Sequence, residues 1–379
     1  MKVALELQPC LKNRSGIGVY TYELSRRLQQ FEDLELAGDI FNFLGRNDLT
    51  ADLRHLEFNQ DTCKLFPYGI YRRIWHYAPI QYNTLFKREA DITHFFNFII
   101  PPRIKGKIVN TVHDLTFEFY PETMDKKNLK RLKTDIHYSL DRADKIVTIS
   151  ECSRKDIIEV LNVDSSKVEI VYPGVDYAYF NTTPSSERIA QVRSKYNLPE
   201  EYILYMGTLE PRKNIPSIVE AFYKLKKGGD EKVQSVKLVL AGKKGWMYEE
   251  IFKKIQELGL EDDVVFTDYV DEVDKAIIYR LASLFVFPSL YEGFGIPVLE
   301  AMASSTPVIA SKSSSLPEVA GDAALLVNPQ DTLSMAEGMH CILTQKDYRQ
   351  LLVQRGHVQA QKFNWEDSSQ KLYELYKSL

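Results

Sequence analysis

The sequence predicts an α/β protein made of two Rossmann-like domains in tandem. Three observations carry that prediction. Short β-branched runs alternate with helical periods along the whole chain, the pattern of parallel sheets covered by helices on both faces. The runs fall into two sets separated by a turn-rich, polar stretch between residues 172 and 187. At 379 residues the chain is long enough for two cores,.

Residues 2–7 read as the first strand. A glycine-containing loop follows, then a helix in which Ile17, Tyr20, Leu24, Leu28 and Phe31 recur every three or four residues,. Residues 92–96, 107–112, 145–149 and 167–172 complete the first set of strands. The second set is residues 202–206, 237–241, 264–267, 284–287 and 308–310. Tyr172-Pro173-Gly174-Val175-Asp176 stops the last strand of the first set, and residues 181–187 (NTTPSSE) read as linker,. The first domain is therefore expected over 1–175 and the second over 176–362. The closing segment, 363–379, reads as a helix with Leu372, Leu375 and Tyr376 on one face.

Composition bounds the function. Lys plus Arg number 48 and Asp plus Glu 52, for a net charge of −4; a dedicated nucleic-acid binder needs a basic excess instead. The longest charge-free stretches, 92–102 among them, run eleven residues, well short of the roughly 20 needed to span a bilayer. No apolar leader opens the sequence,. Cysteines 10, 63, 152 and 341 form no C-x-x-C pair, which fits a reducing, cytoplasmic setting. The seven histidines are scattered without H-E-x-x-H spacing, so no metal or other cofactor is expected.

The densest chemical signal runs from Phe287 to Ala303 (FPSLYEGFGIPVLEAMA). A buried strand ends at Pro288, and Gly293 and Gly295 let backbone approach a ligand closely,. Pro297 suits a first helical turn, so a helix begins near Ile296 and turns its positive end toward the loop,. Glu292 and Glu300 flank that start, and each carboxylate can accept both hydroxyls of a sugar diol,. Glutamates at a helix start also serve the dipole alone.

The second signal is Met206-Gly207-Thr208-Leu209-Glu210-Pro211-Arg212-Lys213-Asn214, directly after a strand, where open α/β sheets bind ligands,. Arg212 and Lys213 offer a planar fork and a point charge, a combination suited to a diphosphate; a solvated basic turn is the plain alternative. Ser15-Gly16-Ile17-Gly18 follows the first strand but lacks the third glycine of a dinucleotide loop,. His113, in Thr111-Val112-His113-Asp114, offers an N–H to a sugar hydroxyl or a developing charge, or simply packs at a strand end. Ser150 is a helix cap,. Ser315 and Glu318 read as a capping box,. The aromatic stretch 65–86 reads as a packed helix and loop, against an acceptor pocket or membrane contact,. Lys126, Lys127, Lys130, Arg131 and Lys133 crowd a segment where Leu129, Leu132, Ile136 and Leu140 recur at helical spacing. It is an ordinary surface helix or a basic amphipathic one that docks on anionic lipid.

Taken in order, G-x-G, T-V-H-D, S-x-x-S, Y-P-G-V-D, G-T-L-E-P-R-K-N and E-G-F-G-I-P-V-L-E-A-M-A resemble the family-4 retaining glycosyltransferases (glycosyl transferases group 1) of the GT-B fold, over nearly the whole chain. The resemblance implies two Rossmann-like domains facing each other across a cleft, with the final helix, residues 363–379, crossing back to the first. It implies a nucleotide-sugar donor on the second domain. Arg212 and Lys213 would hold the diphosphate, Glu300 the ribose diol and Glu292 the donor sugar, with the Phe294 and Gly295 backbone nearby and the base against Tyr269 and Val270. The first domain would take a glycan or lipid-linked acceptor, with Gly16, Gly18 and His113 turned toward the donor. One departure is visible: the family often has glycine after this helix, where Ser304-Ser305-Thr306 stands here.

The expectation is an anomer-retaining hexosyltransferase of cell-surface polysaccharide or lipopolysaccharide synthesis. Mannose from GDP-mannose comes first and UDP-glucose-type donors second. The protein is expected in the cytoplasm, peripheral to the inner face of the membrane if residues 126–140 bind lipid. A dinucleotide-dependent oxidoreductase and a non-catalytic sugar-binding protein are the competing classes; the incomplete glycine motif speaks against the first, and the intact Glu292, Glu300, Arg212 and Lys213 against the second.

Overall fold

A computed structural model describes residues 1–11, 16–45 and 51–379, without the side chains of Ala51 and Asp52. It divides into two compact units. The first comprises Met1–Phe119, Lys126–Gly174 and Trp365–Leu379; the second comprises Tyr120–Asp125 and Val175–Asn364.

The first unit is built on β1 (Lys2–Glu6), β2 (Glu35–Phe41), β3 (Asn59–Cys63), β4 (Ile92–Phe95), β5 (Lys107–Thr111), β6 (Lys145–Thr148) and β7 (Val168–Ile170). They form one parallel sheet in the order β3-β2-β1-β4-β5-β6-β7. The strand order reverses between β1 and β4, so a crevice opens beyond their carboxyl ends. The Gly16–Leu28 helix covers one face and buries Tyr20, Leu24 and Leu28, as the spacing predicts.

Strands β2 and β3 are not apparent from sequence. β2 carries Glu35, Gly38 and Asp39; Asp39 is 2% exposed and ion-pairs with Arg88. β3, Asn-Gln-Asp-Thr-Cys, is an edge strand whose polar residues reach solvent, so neither apolar run nor alternation marks it,.

The Trp365–Lys377 helix belongs to this first unit. Leu372, Leu375 and Tyr376 are buried there, and the Tyr376 hydroxyl meets His94 Nδ1 at 2.6 Å. Ser368 donates to the Tyr172 carbonyl at 2.6 Å, and Arg27 pairs with Glu366 at 2.8 Å. Within 65–86, Tyr71, Tyr82 and Phe86 pack around Phe41, and Trp75 packs on Tyr71, which decides for a packed helix and loop there. The Lys126–Arg142 helix likewise turns Leu132, Ile136 and Leu140 inward and leaves Lys126, Lys127, Lys130 and Lys133 exposed. Its apolar face is therefore already occupied.

The second unit holds β8 (Tyr202–Met206), β9 (Lys237–Ala241), β10 (Val264–Asp268), β11 (Leu284–Phe287), β12 (Val308–Ser311) and β13 (Leu325–Val327), parallel in the order β10-β9-β8-β11-β12-β13. All but β13 are read from sequence; three residues are too few to show a pattern. The central strands β8, β9, β11 and β12 are buried almost throughout, as a sheet covered on both faces demands,. Here the order reverses between β8 and β11. Both dense motifs of the sequence leave the carboxyl ends of these two strands.

Candidate active site

After β8 the chain makes a short 3-10 turn, Pro211–Lys213, and Asn214 takes the left-handed conformation at φ 56°. Asn214 tolerates that conformation and uses its side chain to hold the turn. Its Nδ2 donates to the Pro329 carbonyl at 2.7 Å and the Pro288 carbonyl at 3.2 Å. The backbone of Arg212 accepts from Leu290 N–H at 2.9 Å, which ties this turn to the loop after β11.

That tie brings the predicted residues together. Lys213 Nζ donates to Glu292 Oε1 at 2.5 Å, and Arg212 Nη1 donates to Glu292 Oε2 at 2.8 Å. Arg212 also reaches the Tyr291 carbonyl at 2.6 Å and Glu210 Oε1 at 3.0 Å. Lys213 Nζ lies 5.1 Å from the centre of the Phe287 ring,. Glu292 is 7% exposed. Burial alone pushes its carboxyl up, but Arg212 and Lys213 outweigh that and hold it down at about 2,. The carboxylate is therefore fixed as an anion between two cations. Lys213 has three donor hydrogens and Glu292 takes one, so it keeps capacity for a second anion.

The loop from Glu292 to Gly295 is held from behind. Ser314 Oγ accepts the Glu292 N–H at 2.9 Å. Ser315 Oγ lies within donating distance of the Glu292 carbonyl, 2.9 Å, and the Phe294 carbonyl, 2.8 Å. This corrects the capping-box reading of Ser315 and Glu318: the Ser315 side chain makes no cap bond to its own helix, because the loop carbonyls take it. Ser150 does cap its helix, accepting from Ser153 N–H at 3.0 Å.

Gly295 sits at φ 120°, and a Cβ there would stand 2.6 Å from Leu316 Cδ2, so only glycine fits. The Ile296–Ala303 helix starts immediately after it, with Pro297 in the first turn as predicted. Phe294 is buried edge-on against Phe363, so its backbone faces the loop while its ring is core. At the far end, Ser305 adopts φ 63°, the conformation a glycine would take more easily, and bonds His357 Nε2 at 3.0 Å,.

Glu300 lies inside this helix, 8% exposed. Its Oε2 accepts from the Tyr279 hydroxyl at 2.8 Å, and Lys275 stands 3.8 Å from Oε1. Burial would lower the Lys275 ammonium, but Glu300 and Glu272 raise it above its ordinary value. Tyr279 and Lys275 carry no sequence motif; they come from the Glu272–Leu281 helix and act through tertiary packing. Tyr269 and Val270 follow β10, with Tyr269 42% exposed and Val270 buried.

His113, Gly16 and Gly18 belong to the first unit. Gly16 opens its helix at the exposed surface, and a Cβ there would meet nothing within 4 Å; the protein's own packing does not require glycine at 16. Gly18 is buried and its carbonyl accepts from Cys10 Sγ at 3.7 Å. Ser15 lies outside the described residues. His113 Nε2 lies 2.7 Å from the Phe96 carbonyl. A carbonyl only accepts, so Nε2 carries the proton. Burial lowers the His113 pKa, against the Phe96 carbonyl and Asp114. The neutral ring then offers Nδ1 as an acceptor. The sequence reading of His113 as a donor is corrected: its N–H is already committed.

Among known proteins, the Glycosyl transferases group 1 family matches residues 187–359 and Glycosyltransferase Family 4 matches residues 14–179. O-antigen chain mannosyltransferase B of Escherichia coli is 31% identical over the full length of both chains. The chain belongs to the family-4 glycosyltransferases. Among solved structures, this glycosyltransferase superposes on a sucrose-phosphate synthase of Thermosynechococcus elongatus with a TM-score of 0.76 at 20% identity, covering 100% of this chain and 98% of that one. It superposes on HepE of Anabaena, solved with UDP and glucose, with a TM-score of 0.75 at 18% identity over all of both chains. These likenesses agree with a GT-B glycosyltransferase fold, two parallel-sheet α/β domains in one chain. Among the described residues no helix is long and apolar enough to cross a membrane.

Proposed function

We propose that this glycosyltransferase moves a hexose, mannose first, from a nucleoside-diphosphate sugar to a glycan or lipid-linked acceptor in cell-surface polysaccharide synthesis, with retention at the anomeric carbon. The observation that carries the reading is the Arg212–Glu292–Lys213 cluster at the reversal between β8 and β11. The name of the E. coli relative favours mannose, and GDP-mannose is the donor proposed with it. The UDP and glucose bound by the Anabaena protein keep UDP-glucose-type donors as the second choice.

In this reading Arg212 and Lys213 bind the donor diphosphate and stabilise the charge that grows on it as the glycosidic bond breaks. They are already oriented by Glu292, so little reorganisation is needed at the moment of reaction. Glu300, held by Tyr279, takes the ribose diol, and Tyr269 and Val270 flank the base. Both oxygens of Glu292 are engaged by cations and its basicity is low, which makes it a poor nucleophile and a poor base. It positions the sugar and the two cations instead. The acceptor hydroxyl attacks from the face the leaving diphosphate vacates, and its proton passes to that phosphate. His113 Nδ1 accepts a hydrogen bond from a sugar hydroxyl, with Gly16 and Gly18 allowing close backbone approach. The charge stabilisation rests on these side chains, and no metal is assigned a part.

The exposed lysines of the Lys126–Arg142 helix support peripheral contact with an anionic membrane through charge alone, since its apolar face is buried,. Sedimentation with anionic and neutral vesicles at low salt tests that contact; equal pelleting with both ends it.

Thermal-shift titration against a panel of nucleotide sugars tests the main reading, because a true donor stabilises the fold by mass action. GDP-mannose is expected to raise the melting temperature most. NMR of the product anomer then tests retention. No shift with any nucleotide sugar would remove the reading.

A further inference from the structure

The helix that carries Lys275 and Tyr279 is fastened at its start by a buried charge. Asp274, in the first turn of the Glu272–Leu281 helix, is fully buried. Its Oδ2 accepts from Lys195 Nζ at 2.7 Å and from the Tyr196 hydroxyl at 2.8 Å, and its Oδ1 accepts from Arg188 Nη2. All three donors come from one element, the Ser186–Tyr196 helix. Arg188 and Lys195 stand two turns apart along one face of it, so the carboxylate is gripped from both ends.

The grip extends to Asp271, which precedes the helix. Lys195 Nζ also donates to Asp271 Oδ2 at 2.6 Å, and the Tyr196 hydroxyl accepts the Asp271 N–H at 3.1 Å. The Asp271 side chain makes no cap bond to its own helix. The neighbouring helix, and not a cap, therefore sets where this helix starts.

The other end is set separately. The Tyr202 hydroxyl donates to the Ile278 carbonyl at 2.6 Å, and Thr306 Oγ1 donates to the Tyr279 carbonyl at 2.6 Å. Between the two anchors Lys275 and Tyr279 lie one turn apart on one face. That face holds both oxygens of Glu300, with Tyr279 2.8 Å from Oε2 and Lys275 3.8 Å from Oε1. Glu272 steadies Lys275 at 3.0 Å. Any roll of the helix would move both partners of Glu300 together.

Stability alone does not account for the clamp. Taking a carboxylate out of water is costly, and a buried ion pair often stabilises no better than apolar side chains of the same volume; its best-attested use is to select one arrangement among several. Burial works against the Asp274 charge, but Lys195, Tyr196 and Arg188 outweigh it and hold the carboxyl below its ordinary value. The group is an anion at neutral pH, and three directed charge-assisted bonds fix the turn in place and in rotation.

We infer that Asp274 is a positioning residue for the donor: clamped by Arg188, Lys195 and Tyr196, it sets the roll of the Glu272–Leu281 helix and so the placement of Tyr279 and Lys275 on Glu300. The inference rests on the proposed role of Glu300 at the ribose diol. It adds that selectivity for a ribose with both hydroxyls is set from outside the site, by the Ser186–Tyr196 helix.

Two measurements on the full chain test it. In the first, glutamate side-chain carboxyls are isotopically labelled and followed by carbon NMR, the Glu300 resonance being identified by its absence in Glu300→Gln. Tyr196→Phe keeps the ring and every charge and removes one hydroxyl from the clamp; Asp274→Asn removes the charge. Both are expected to move the Glu300 resonance. A clamp that only stabilises would lower the melting temperature and leave the resonance in place, and that result overturns the inference. Should Asp274→Asn fail to fold, Tyr196→Phe carries the test.

In the second, GDP and dideoxy-GDP, which lacks both ribose hydroxyls, are titrated calorimetrically, with UDP and dideoxy-UDP beside them. The parent is expected to bind the ribose form at least about tenfold more tightly, the discrimination that one hydrogen bond to a charged group supplies. In Tyr196→Phe and Asp274→Asn that ratio should fall by about threefold or more, part of the same bond, while affinity for the dideoxy form holds. A ratio equal to the parent's in both variants overturns the inference and leaves Glu300 on the ribose. A parent that does not discriminate detaches Glu300 from the ribose and removes the selectivity claim with it; the NMR shift then decides alone whether Asp274 positions Tyr279 and Lys275.

Discussion

Lys213 donates to Glu292 at 2.5 Å across 79 residues of chain. The contact joins the turn after β8 to the loop after β11, so the two halves of the candidate site are one electrostatic unit. Arg212 closes it from the other side at 2.8 Å. Replacing Lys213 or Arg212 by alanine is expected to cut turnover at saturating donor by about tenfold or more, the loss typical of one charge-stabilising group. Breaking a buried pair also destabilises, by about 3–5 kcal/mol, so rates are to be normalised to folded enzyme from a melting curve. Normal turnover in both variants would remove the diphosphate role.

The same cluster gives a pH signature. The Glu292 carboxyl falls from 4.5 to about 2 on folding, because Arg212 and Lys213 outweigh the cost of burial. Its folded value lies below its unfolded one, so the stability it contributes is present above pH 4.5 and drains away as pH falls toward 2. Glu292→Gln has no such group. Urea unfolding of parent and Glu292→Gln at pH 6, 4 and 3 should show the parent well ahead at pH 6 and the gap closing at pH 3. A gap that is constant with pH would mean that the carboxylate is not held by its cations.

This cluster was legible in the sequence because its demands are local. Gly295 is fixed by its own φ and by Leu316, Pro297 by the first helical turn, and Arg212-Lys213 by their place after a strand. The second layer was not legible. Tyr279 reaches Glu300 from a neighbouring helix, and no spacing announces that. Ser315 misleads outright: S-x-x-E writes a cap, but the nearer carbonyls of Glu292 and Phe294 win its hydroxyl,. The five-stranded reading of the first sheet failed at β2 and β3, where buried Asp39 is neutralised by Arg88 and an edge strand is polar. In each case a tertiary partner overrides the local pattern.

Tyr279 provides a direct check on Glu300. Its hydroxyl is buried and donates to Glu300 Oε2 at 2.8 Å. Tyr279→Phe keeps the ring packing and removes only that bond. With Glu300 on the ribose diol, as proposed, donor KM should rise several-fold with kcat nearly unchanged. A hydrogen bond to a charged acceptor contributes about 1.5–3 kcal/mol to stability, so a lower melting temperature is expected too. An unchanged KM would detach Glu300 from the donor.

The charge stabilisation proposed for Arg212 and Lys213 bears on metal dependence. Protein partners orient both: Glu210, Glu292 and the Tyr291 carbonyl hold Arg212, and Glu292 holds Lys213. Dialysis against EDTA should therefore leave the initial rate within about twofold, the scatter of a rate assay and far below the several kcal/mol a Lewis acid supplies. A loss restored by a divalent cation would require a metal-assisted leaving group and demote the two cations to a supporting part.

Ser315 tests whether the shape of the loop matters apart from its charge. The side chain is fully buried, and its one hydroxyl serves the carbonyls of Glu292 and Phe294. Ser315→Ala leaves both without that donor, at a cost of about 1–3 kcal/mol in stability. The Arg212 and Lys213 contacts to Glu292 do not pass through Ser315, so the carboxylate keeps its cations while the backbone from Glu292 to Gly295 loses its anchor. If the loop backbone contributes to donor binding, KM for the donor rises in Ser315→Ala while the acid-side stability difference against Glu292→Gln persists. If only charge matters, KM stays at the parent value and the loop is a support for the Glu292 side chain alone.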